Sequence, residues 1–216
     1  MSASGVFNDA FLSALQGLVG VHHSIYPDIP PQGIYFEALV ETALRAVKKP
    51  FSVLPTSRNQ PTHDLLVGDM KLSIKSETGK GTRDDLITLT KLCTTEKEPW
   101  QADVLVNRVL EHLARYDLIL MLRAIWHIEQ SILHYQLLEI PVSVLGLIES
   151  AHFTPSGKRK GRQSLGADVY QSGDLAFHVH FDGSDGKCSI RRLHIKRCTM
   201  LLEWDREMPK ALITHT

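Results

Sequence analysis

His63-Asp64-Leu65-Leu66-Val67-Gly68-Asp69-Met70-Lys71-Leu72-Ser73-Ile74-Lys75-Ser76-Glu77 reads as a β-hairpin. Two strand-like runs, His63 to Val67 and Met70 to Ser76, flank Gly68-Asp69, a Gly-first turn signal. Counting outward from that turn pairs Val67 with Met70, Leu66 with Lys71, Leu65 with Leu72, Asp64 with Ser73 and His63 with Ile74. Strand alternation then puts Leu65, Val67, Met70, Leu72 and Ile74 on one face. The opposite face carries Asp64, Ser73 and Lys75, with Glu77 in line if the strand continues. Cross-strand Cβ atoms lie ~5 Å apart and diagonal ones ~7–8 Å, so Asp64 and Lys75 address one small site.

Working outward, apolar residues at helical spacing predict an amphipathic helix from Phe7 to Leu18. A rigid connector, Tyr26 to Gly33, precedes a second helix from about Ile34 to Lys48, stopped by Pro50. Phe51 to Leu54 reads as a short strand and Pro55 to Thr62 as a loop. Beyond the hairpin, Thr78 to about Pro99 reads as a polar loop, Gln101 to Arg115 as a helix, and Asp117 to Ile125 as a central strand covered on both faces. Ser131 to Glu139 is another strand and Val142 to Ser150 a short helix. The remainder is strand-rich: Asp168 to Tyr170, Leu175 to Phe181 and Cys188 to His194, with a turn at Asp182 to Gly186. The class is α/β, with a core over 1–150 and a β-rich segment over 151–216 packed on it.

A carboxylate beside a lysine is the equipment of metal-assisted phosphodiester hydrolysis. Asp64 would hold a hard cation such as Mg2+ through oxygen. Lys75 would orient the attacking water or steady developing charge. A second acid normally completes such a site, yet Ser73 stands two residues before Lys75. Glu77 on the same strand face and Glu37 on the preceding helix are the candidates; Asp84, Asp85 and Glu96 lie downstream.

In these residues (Asp64, then Ser73-Ile74-Lys75) and in the order helix, three-stranded antiparallel meander, helix, strand over about 34–125, the chain resembles the PD-(D/E)xK nuclease superfamily. Within it, the chain resembles the type II restriction endonucleases. The resemblance implies a restriction-endonuclease-like core with a strand-rich C-terminal DNA-recognition segment. It also implies Mg2+ as cofactor, cleavage of both DNA strands to 5′-phosphate and 3′-hydroxyl ends, a homodimer, and a cognate DNA methyltransferase in the same system. A repair or mobile-element nuclease of the same fold, and a non-catalytic DNA-binding protein with Asp64 and Lys75 as a mere ion pair, are the other readings.

Charge shows where DNA would go. The chain has 216 residues, with 24 Lys and Arg against 24 Asp and Glu, so gross charge attracts no partner. Between Pro155 and Cys198, however, nine basic residues (Lys158, Arg159, Lys160, Arg162, Lys187, Arg191, Arg192, Lys196 and Arg197) face four aspartates. Such asymmetry suits a DNA-facing segment. The loop Lys158 to Arg162 suits phosphate contact, and a hairpin with Arg191 and Arg192 suits guanine in the major groove. Regular alternation would keep those two arginines from facing the same groove.

Other motifs fall away. Pro27-Asp28 precedes the helix and has no lysine on a paired strand. Gly33-Ile34-Tyr35 has no matching second half, and Asp69 of Asp69-Met70-Lys71 sits in the turn. The eleven histidines lack zinc-site spacing. Cys93, Cys188 and Cys198 form no CxxC and leave one over, which points to a reducing, cytoplasmic setting. No apolar run approaches the ~18 residues of a membrane span.

Overall fold

The computed structural model describes residues 6–53, 64–95, 99–157 and 162–208. The loop expected from Pro55 to Thr62, His63, Glu96 and the basic residues Lys158, Arg159 and Lys160 lie outside them. In chain order come helix α1 (Asp9–Ile25), α2 (Ile34–Ala46), strands β1 (Phe51–Ser52), β2 (Leu65–Val67), β3 (Met70–Glu77) and β4 (Leu86–Thr94), then α3 (Ala102–Leu113). They are followed by β5 (Leu118–His127), β6 (Ile132–Pro141), α4 (Val142–Gly146), β7 (Thr154–Ser156), β8 (Ser164–Gln171), β9 (Asp174–Phe181), β10 (Lys187–His194) and β11 (Thr199–Glu207). The mixed α/β class expected from the sequence is what the chain adopts.

Two compact units form, each from separated segments: Met1–Thr82, Leu118–Glu139 and Thr199–Thr216 in the first, Arg83–Asp117 and Ile140–Cys198 in the second. The division expected at residue 150 is contiguous in sequence; these units are not.

The first unit is built on a six-stranded sheet in the order β1-β2-β3-β5-β6-β11. β1, β2 and β3 make the expected antiparallel meander, and β3 then runs parallel to β5. Residues Leu118 to Ile125 of β5 are all buried, as their unbroken apolar run requires of a central strand. Helix α1 starts at Asn8, whose side-chain oxygen accepts from Phe11 N at 3.0 Å. It extends a full two turns beyond the expected end at Leu18, because Val19, His22 and His23 continue its buried stripe. Phe11, Leu15, Phe36, Val40, Leu44, Leu72, Leu120 and Tyr135 belong to the core of this unit.

The second unit holds a five-stranded antiparallel sheet, β4-β10-β9-β8-β7. Two corrections to the sequence reading arise here and in the first unit. Leu86–Thr94, expected within a polar loop, is a strand: its threonines are β-branched, and Ile87, Leu89, Leu92 and Cys93 are buried. Thr199–Glu207, expected as no element, is the edge strand that pairs with β6. Cys93 and Cys188 face each other across β4 and β10, and all three cysteines are free thiols.

Candidate active site

The hairpin has the register counted from its turn: Leu65 opposite Leu72, Leu66 opposite Lys71, Val67 opposite Met70. Gly68 takes φ +61°, the left-handed backbone that its place in the turn demands. Beyond β2 the counted register does not continue: Asp64 N donates at 2.8 Å to the carbonyl of Leu72, the partner of Leu65, and not to Ser73. The Asp64 carboxylate thereby lies against the next stretch of β3. Its Oδ2 accepts from Ile74 N at 2.5 Å and from Ser73 Oγ at 3.1 Å. Lys75 Nζ donates to Ser73 Oγ at 2.8 Å and to Ile74 O at 3.1 Å, and stands 3.5 Å from Asp64 Oδ2. Ser73 is therefore a relay: it holds the ammonium with one lone pair and gives its proton to the carboxylate.

Glu37 joins this group from α2. That helix starts at Gly33, at φ +53°, whose N–H donates to Ser76 Oγ at 3.2 Å, and Thr78 Oγ1 donates to Gln32 Oε1 at 3.3 Å. These contacts tie the first turn of α2 to the end of β3. Burial, and then the neighbouring Asp64 carboxylate, push the Glu37 carboxyl above its ordinary range, while Lys75 acts the other way. Two carboxylates and one ammonium thus share an electrostatic neighbourhood.

Glu77 lies on β3 as counted, but its carboxylate has another occupation. It accepts from Arg123 Nε at 2.8 Å. Arg123 is fully buried on β5 and also donates through Nη1 to Gln136 Oε1 at 2.6 Å. The sequence showed Arg123 only as a break in an apolar run; its place directly opposite Glu77 follows from parallel pairing of β3 with β5. Spacing of an acid and a base within the sequence could not signal it.

Among the described residues no group of three or more His, Cys, Asp or Glu converges as a metal cage. Mg2+ needs none: it is commonly held by one or two carboxylates together with waters and substrate phosphate. Among the described residues, each hydrogen bond to the Asp64 carboxylate ends on Oδ2. Asp64 and the neighbouring Glu37 offer carboxylate oxygens of the kind a hard divalent cation takes, whereas Glu77 already neutralises Arg123.

The basic segment divides by role. Arg162 stacks over Trp100, 4.2 Å from the ring centroid, and donates through Nε to Gly183 O at 3.0 Å. Lys187 pairs with Asp185 at 2.5 Å. Arg191 and Arg192 are both exposed, against simple alternation. A bulge explains it: Ile190 pairs with Leu89 and Leu193 with Ile87, so β10 carries one residue more than β4 across that interval.

Comparison with known proteins gives the function class. A 26% identical relative, matched over 96% of this chain and 84% of its own length, is the type II restriction enzyme SmaI of Serratia marcescens. No solved structure matches. The family model described as SmaI, type II site-specific deoxyribonuclease, matches residues 2–206. Hence the carboxylate–lysine hairpin and the basic β-segment belong to a type II restriction endonuclease, a DNA-binding enzyme of the SmaI family.

Proposed function

We propose that this enzyme cuts both strands of DNA at a short specific site by Mg2+-dependent hydrolysis of the phosphodiester bond, with a PD-(D/E)xK-type centre. The observation that carries this reading is the convergence of Asp64, Ser73 and Lys75 on one hairpin beside Glu37. Asp64 and Glu37 hold the cation. When bound, it supplies Lewis-acid polarisation of the phosphoryl group. Lys75, fixed by Ser73 Oγ and Ile74 O, directs its ammonium at the reacting phosphate, where it orients the attacking water and stabilises the charge that develops on oxygen. Ser73 is a positioning residue for both Lys75 and Asp64. Glu77 is assigned to structure, as the counter-ion of Arg123.

DNA recognition is assigned to residues 151–216, with Arg191 and Arg192 towards bases and Lys158, Arg159 and Lys160 towards phosphates. The protein is assigned as a homodimer acting on a palindrome, with a methyltransferase of matching specificity protecting host DNA. A surface supports the dimer. Val21, Ile25, Tyr26, Ile29, Ile34 and Tyr35 are large, apolar and exposed around the junction of α1 and α2. From Ala10 to Ile25 the chain has no Asp, Glu, Lys or Arg. Between Val21 and Tyr35, Asp28 is the one residue among Asp, Glu, Lys and Arg, so such a surface meets its own copy with little like-charge repulsion.

The test is digestion of mixed-sequence plasmid with Mg2+. Discrete fragments are expected from the enzyme and none from Asp64→Ala or Lys75→Ala. Equal cleavage by these variants would overturn the assignment of the centre.

A further inference from the structure

The exposed face of the sheet in the second unit carries a side-chain cluster that the hydrolytic centre does not use. Register aligns Asp168 on β8 with His178 on β9, and His178 with Arg191 on β10, so the three form one row across the sheet. His178 Nδ1 lies 2.7 Å from Asp168 Oδ1, and Arg192 Nη2 donates to the same oxygen at 2.6 Å. Gly166 makes room for this arrangement, since a Cβ there would stand 3.3 Å from the His178 ring.

Arg192 reaches the row only because the chain is forced. It takes φ +56°, a left-handed conformation that L residues rarely adopt, at the bulge in β10. Strain held in place by surrounding contacts gathers at functional positions. A carboxylate on a face meant for DNA is itself a cost, because it repels phosphate. Both features make sense if the carboxylate orients a guanidinium. Asp168 engages one of the five N–H donors of Arg192, and the side chain remains half exposed.

We propose that Arg192, with Arg191 beside it on the bulge, reads a guanine in the major groove, and that Asp168 is the positioning residue that aims the Arg192 fork, held in turn by His178. The proposal rests on the assignment of DNA recognition to the C-terminal segment and deepens it. A bidentate arginine–guanine contact needs two donors at fixed direction, which a freely rotating side chain supplies poorly. Asp168 fixes that direction before DNA arrives.

The test separates base reading from phosphate contact and from catalysis. Full-length protein is incubated in Ca2+ with a library of randomised DNA duplexes, and the bound sequences are determined for the unaltered protein, Asp168→Asn and Arg192→Lys. The unaltered protein is expected to select a motif containing G·C pairs. Both variants should relax one G·C position by about tenfold to a hundredfold while other positions hold, with Asp168→Asn leaving the salt dependence of affinity unchanged. Arg192→Lys keeps the charge and loses the fork, so it reports geometry alone. An unrelaxed motif in both variants overturns the proposal. So does uniform weakening at every sequence with a shallower salt dependence, the mark of a phosphate contact. A motif selected without any Mg2+-dependent cleavage would instead count against the hydrolytic centre, leaving this proposal standing.

Discussion

At the scale of single residues, Ser73 shows how a departure from a motif can be absorbed. An acid two residues before Lys75 would add a charge; Ser73 instead links Lys75 to Asp64 through one oxygen. Ser73→Ala should leave folding intact and lower the cleavage rate by about tenfold, because Lys75 keeps its charge and its bond to Ile74 O but loses its fixed position. Steady-state rates against plasmid would show this, with Lys75→Ala falling at least about a hundredfold. The buried His23 gives a second residue-scale prediction. Its Nδ1 proton points at the carbonyls of Tyr26 and Pro27, both 3.2 Å away, so Nε2 accepts from the Tyr135 hydroxyl at 2.6 Å. Burial, with Arg206 nearby, lowers its pKa from 6.5 to about 4. The unfolded chain therefore takes up a proton first as pH falls. Stability from this group is complete above about pH 6.5 and is lost progressively down to about pH 4. Thermal unfolding followed from pH 7 to pH 4 should show that slope.

Among elements, α2 and β3 carry Glu37 and Glu77, the two acids weighed for the proposed metal site. Glu77→Gln removes the counter-charge of a fully buried Arg123 and should destabilise the protein by about 3 kcal/mol, seen as a lower melting temperature. Glu37→Gln relieves repulsion with Asp64, so the melting temperature should hold or rise while cleavage ceases. The two acids are thus separated by one pair of measurements. Much of this arrangement was legible beforehand. Gly68-Asp69 with flanking alternation is enough to pair Leu65 with Leu72 and so to bring the Asp64 side chain beside Ser73, because a short turn leaves no freedom of register over the residues next to it. The rest needed long-range pairing. Nothing local in Leu118 to His127 says that Arg123 will meet Glu77, and nothing near Ile190 to Leu193 says that β10 will bulge. β4 was missed because its threonines and Lys91 read as loop chemistry, although they sit on the outer face of a half-buried strand. Leu89→Ala, in that strand, should cost about 2–5 kcal/mol, measurable by denaturant unfolding.

On the scale of the molecule, the apolar surface at the junction of α1 and α2 makes assembly testable without touching the active centre. Ile25→Glu and Ile29→Glu should give a monomer in analytical ultracentrifugation while the melting temperature stays close to that of the parent, since both side chains are more than half exposed. A parent protein that sediments as a monomer would remove the dimer from the proposal. The discontinuity of the units has a further consequence for synthesis. β6 takes β11 as its outer partner, and Tyr135 stacks on Trp204 of that strand, at 4.9 Å between ring centroids. Residues 199–207 are made well after the hairpin, so the sheet that carries Asp64 and Lys75 stays unfinished until β11 has been synthesised. A nascent chain arrested before β11 would hold the Asp64–Lys75 hairpin without its completed scaffold, so the order of synthesis itself delays assembly of the sheet on which the proposed centre rests.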